Sequence, residues 1–115
     1  MRESYGAVLA HHRVSRARDV VARSALAAIA VDESSHAALS WDIHHWALTR
    51  LGSSDRANIE SALIEERLAL AGELACGPNA TLRHELGWPD ADVAIAMHHA
   101  LCRALPITPA ADAAS

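Results

Sequence analysis

Apolar residues recur along this chain every three to four positions, the period of helices packed through one face. Tyr5, Val8, Leu9 and Val14 mark a first helix over Arg2 to Ala17. Asp19 suits the N-cap of a second helix. No Gly or Pro interrupts the run from Val20 until Gly52, which fits a C′ position. Ser53 or Ser54 is placed to cap a third helix near Asp55 to Ala75, with Ile59, Leu63, Leu70 and Leu74 close to one face. Gly77, Pro78 and Asn79 end it. Beyond a loop around "GWPD", Asp90 is positioned to cap a last helix. Its apolar face reads Val93, Met97, Ala100, Leu101 and Ala104, and Pro106 and Pro109 stop it.

The pattern therefore predicts an all-α helical bundle: a long helical hairpin followed by two shorter C-terminal helices. Residues 1–105 read as a single helical domain, with a helix pair over 2–51 and a C-terminal helical extension over 53–105. Residues 106–115 read as a disordered tail. Composition agrees, since the 115 residues are 51% hydrophobic but only 3% aromatic, and much of the apolar content is Ala. Alanine favours helix and lets backbones approach closely. Trp41, Trp46 and Trp88 are expected as core or edge-of-core anchors.

A formal net charge of −4 argues against a nucleic-acid surface. The short basic stretch Arg13, Arg16, Arg18 and Arg23 reads as a solvated turn and helix start. Cys76 and Cys102 cannot build a disulfide framework and are expected as free, buried thiols. No uncharged apolar run approaches the ~20 residues of a membrane span. A cytoplasmic location follows as the chain is written, or export if a leader precedes Met1.

The chemistry concentrates on the second helix. Steps of four and three from Ala22 trace Ala22, Leu26, Ile29, Glu33, His36, Ser40, Ile43 and Ala47, a seam expected to face other helices. Glu33 and His36 occupy its centre at i, i+3, so their side chains project side by side. A carboxylate inside such a seam must protonate, find an ion pair or bind a metal. Carboxylate and imidazole together suit iron, manganese or zinc. By itself E-x-x-H is a weak motif, and a Glu and His at a bundle edge, or paired with a neighbouring Arg, remain alternatives.

The stretch "RESYGAVLAHHRVSRARDVVARSALAAIAVDESSHAALSWDIHHWAL" resembles the second half of a bacterial ferritin-like domain. The likeness spans roughly residues 2 to 51 and is strongest from Ile29 to Trp46. It implies a four-helix bundle holding a non-haem di-metal carboxylate site, to which each half supplies a Glu and an E-x-x-H. Glu33 and His36 match the second E-x-x-H, and Glu3 stands where the Glu of the preceding helix is expected. The implied cofactor is iron, with manganese or zinc as alternatives, and no catalytic residue is assigned. The first half-bundle, with its own E-x-x-H, has no counterpart here. Either the chain is a truncated remnant or two chains pair, each giving half a site. A lone chain should then expose the seam that the missing helices would cover. The competing reading is a helical interaction module without catalysis or bound metal.

The remaining histidines are poorly placed for one ion. His44 lies two turns beyond His36, and the neighbours His11–His12, His44–His45 and His98–His99 diverge around their helices. They are expected at surfaces or interfaces, though haem ligation by two of them is possible in a bundle. Asp32 and Asp42 are expected to face water, as is Glu65, while Glu66 is a reserve ligand.

Overall fold

The computed structural model describes residues 1–105, and among them the chain is all-helical. Five helices follow in order: α1 (Arg2–Arg16), α2 (Val20–Leu48), α3 (Ser53–Leu74), α4 (Ala80–Leu86) and α5 (Ala91–Ala104). The tail expected at 106–115 lies outside the described residues. The radius of gyration is 16.4 Å and the extents are 55 × 26 × 17 Å. A compact domain of this length has a radius near ~13 Å. Elongation follows from the length of α2 and from the limited cover that the other helices give it.

The hairpin α1–α2 is the best-packed part of the molecule. Asp19 caps α2 as expected, its Oδ1 accepting from the Ala22 N–H at 2.7 Å. Ala7, Ala10 and Ala30 are buried at the contact, so small side chains set the close approach of the two helices. Two bonds define an antiparallel register. The Trp41 Nε1–H donates to Ser4 Oγ at 2.7 Å, and His11 Nε2 meets Ser34 Oγ at 2.8 Å.

The expected seam on α2 is half covered. Leu26 is buried, and Glu33, Ser40 and Ala47, spaced by heptads from it, are half-buried. Three of the four alternate members are bare: Ile29 is 47% exposed, Ile43 is 55% exposed and His36 is exposed, while Ala22 is half-buried. Leu39 and Trp46 widen this bare row. A 4–3 pattern marks a helix with neighbours on two sides, and here α1 fills one side only. The expectation of a fully inward Glu33 and His36 is corrected accordingly, as is that of Trp46 as an anchor. Its indole is 60% exposed, with the Arg50 guanidinium over it.

The C-terminal half departs from the sequence pattern at three points. Gly52 does not end α2 in a left-handed turn. α2 closes at Thr49, and Gly52 takes an extended conformation as the N-cap of α3. The segment after Pro78 is not a loop. Asn79 Oδ1 accepts from the Leu82 N–H and starts α4, which makes five helices rather than four. The buried face of α5 is Ala94, His98 and Cys102, rotated from the expected one, so Val93, Ala100 and Ala104 are exposed. Asp90 caps α5 as expected.

Gly87 explains how this half docks. It ends α4 at φ +69°, and an added Cβ would lie 2.5 Å from the Arg13 carbonyl oxygen and 2.6 Å from the Ala17 nitrogen. The end of α4 therefore rests directly on the last turn of α1, where no side chain but hydrogen fits. Arg13 completes the joint, its Nε–H donating to the Leu86 carbonyl and its guanidinium lying 4.7 Å from the Trp88 ring centre.

Candidate metal centre

Glu3 lies in the first turn of α1, and Glu33 and His36 lie one turn apart near the middle of α2. The antiparallel hairpin brings these elements side by side. A donor atom from each of Glu3, Glu33 and His36 lies within 4.8 Å of the others. Among the described residues no other trio of His, Cys, Asp or Glu comes so close. Two ligands each ~2.1 Å from one ion sit at most about 4.2 Å apart. Three donors around one tetrahedral ion sit about 3.4 Å from one another, so the trio would close by up to roughly 1.4 Å to seat it, and Glu3 and His36 are exposed.

The surroundings suit a cation. Glu33 is half-buried, and its Oε2 lies 3.3 Å from where a Cβ on Gly6 would stand. Gly6 thus makes the space that the carboxylate enters. Its part could not be read from the sequence, because it depends on the register between the helices. Among the described residues no basic side chain forms an ion pair with Glu3 or Glu33. Arg2, next to Glu3 in sequence, turns away to α3. Its guanidinium forms a fork on Glu73, at 2.7 and 2.9 Å, and also bonds Glu66. These bonds hold the Glu73 carboxyl below the usual range and the guanidinium above its own. Glu66 is therefore engaged elsewhere and does not join the cluster as a reserve ligand. Asp32, Asp42 and Glu65 are exposed and stand apart, as the sequence suggested.

The other histidines serve different surroundings. His44 packs edge-on to Trp41 with ring centres 5.2 Å apart, and partial burial together with His45 lowers its proton affinity. His98 is not at a surface. It is 1% exposed, with Cys102 Sγ 3.7 Å from its Nε2 and the Tyr5 ring edge-on to it. Neither His98 Nδ1 nor the Tyr5 hydroxyl has a hydrogen-bond partner among the described residues. Burial lowers the His98 proton affinity, with smaller contributions from His99 and Arg67. Cys102 is a free, buried thiol, whereas Cys76 is free but exposed, against expectation.

Comparison with protein-family models, with curated proteins and with solved structures finds no match to this chain. No helix among the described residues is long and apolar enough to cross a membrane.

Proposed function

We propose that this chain is a ferritin-like metal-binding protein that carries half of a non-haem di-metal carboxylate site. The observation that supports this reading is the convergence of Glu3, Glu33 and His36 within 4.8 Å, with neither carboxylate ion-paired to a basic side chain among the described residues. Glu33 has the central place, half-buried against Gly6, and chelates or bridges. His36 caps one metal and Glu3 adds a second carboxylate. Iron is the preferred ion for this donor set, with manganese or zinc as alternatives. When bound, iron would supply redox chemistry with dioxygen.

Three donors leave a metal's coordination open, and the open side adjoins the bare row of α2. His36 stands in that row, one heptad from both Ile29 and Ile43. Whatever covers the row would also close over the site. A second copy of the chain is the occupant we propose, because it would present the same apolar row together with its own Glu3, Glu33 and His36. The same exposed row supports the other reading, a helical interaction module in which the Glu–His pair holds no metal.

Metal content separates the two. The demetallated protein is loaded with Fe(II), Mn(II) or Zn(II), and bound metal and molecular mass are measured for wild type and for Glu33→Ala/His36→Ala. Metal in fixed ratio to a dimer, lost in the double variant, is the expected result. A folded protein that takes up no metal in any oligomeric state would remove the metal reading and leave the interaction module.

A further inference from the structure

The basic stretch around the α1–α2 turn splits into two kinds of arginine. Arg13 and Arg23 are engaged with backbone carbonyls, of Leu86 and Ala17 respectively. Arg16 and Arg18 are not so engaged. With Arg83 from α4 they line a cleft of about 370 Å³ between the end of α1, α4 and the start of α5. His12 and His84 add imidazoles to the same walls. No acidic side chain pairs with any of these arginines among the described residues. The one carboxylate in the wall, Asp90, uses its Oδ1 to cap α5.

This concentration runs against the charge of the chain, which is −4 overall. Three guanidiniums brought together from separate elements without counter-charges repel one another, and an anion between them relieves that repulsion. Every one of the ten basic residues is arginine, whose planar fork matches the oxygens of a phosphoryl group two at a time. The cleft is larger than a single phosphate needs. Trp88 and Val93 form part of its wall and give an organic group apolar surface to lie on.

We propose that this cleft binds a small phosphorylated anion, a diphosphate or phosphoester, held by Arg16, Arg18 and Arg83. His12 is the local sensor. Partial burial and Arg16 disfavour its protonated form, and Asp90 opposes them weakly. Arg18 and Arg83 add further positive charge around the cleft. A bound oxyanion reverses that balance and draws a proton onto His12.

Pyrophosphate is the probe, titrated calorimetrically into the metal-free protein, with the His12 imidazole followed by NMR. Saturable binding is expected, with a rise in the His12 pKa. Affinity should fall roughly tenfold or more in Arg16→Gln/Arg83→Gln, as expected when charge-assisted bonds are lost. Circular dichroism establishes that this variant is folded. The Glu33→Ala/His36→Ala variant should bind pyrophosphate like wild type, so failure of the metal reading leaves this one intact. The proposal is overturned by absence of saturable binding, by equal affinity for sulfate at the same ionic strength, or by unchanged affinity in the arginine variant. It is equally overturned if a short single-stranded RNA binds while pyrophosphate does not.

Discussion

Two polar clusters flank α1, and their surroundings differ in kind. Glu3, Glu33 and His36 sit at the edge of the α1–α2 contact, with Glu33 half-buried and the other two exposed. Tyr5, His98 and Cys102 are sealed between α1 and α5, each at least nine-tenths covered. In the first, water solvates the donors until a ligand replaces it. In the second, the polar atoms are shut off from solvent, and two of them have no partner among the described residues. An unsatisfied buried polar group costs about 1–3 kcal/mol. The open cluster can therefore bind without first breaking the fold, whereas the closed one draws on the stability of the chain. Proximity of functional side chains does not by itself make a site, since access decides between the two roles.

The largest expected effect tests whether the clusters belong to separable parts. Gly87→Ala forces a Cβ into the backbone of α1 at a left-handed position. A clash with backbone cannot be relieved by a rotamer change, so a loss of about 3 kcal/mol or more is expected. Hydrogen exchange should show α5 losing protection while the α1–α2 hairpin keeps most of its own. Uniform loss of protection across both would break the comparison.

Next comes acid. His98 binds protons less readily folded than unfolded, so the unfolded chain holds more protons once the pH falls toward the free imidazole range near ~6.5. Stability from neutral His98 is complete above that range and is lost as pH falls through it. His12 and His44 are shifted the same way and add to the slope. Urea midpoints between about pH 7.5 and 5.5 should fall, and His98→Met should flatten the decline. An unchanged slope in that variant would show that His98 is not the group responsible.

The smallest effect concerns the open cluster. Gly6→Ala improves helix propensity by up to about 1 kcal/mol, while its Cβ reaches to 3.3 Å of Glu33 Oε2. The melting temperature should hold or rise as metal affinity drops several-fold. Equal metal affinity in this variant would mean that the Glu33 carboxylate has no need of the space over Gly6.

Local chemistry accounts for what could be read from the sequence. Asp19 and Asp90 act as the caps they look like, because capping depends on a side chain and its own next turn. The two acids and one imidazole singled out by pattern, Glu3, Glu33 and His36, fall together because i, i+3 spacing and a short hairpin turn leave little freedom. Features that depend on distant contacts stayed hidden. α4 is too short to show a period, and its Asn79 cap is separated from Gly77 only by Pro78, so it resembles a turn. The buried face of α5 departs from the apolar period because His98, polar in type, fills the core beside Tyr5. Gly6 and Gly87 matter for what lies opposite them, which no reading along one strand of text can show.

Trp88 lines the basic cleft and also an apolar cleft of about 240 Å³ that touches Tyr5 and Leu82. Its indole is thus shared by both clefts, already held by the charge of Arg13. Any molecule entering either chamber changes the field across that one ring. With Trp41 and Trp46 replaced by Phe, Trp88 would be the one indole left, and its emission colour and quenching would register occupancy with no dye attached.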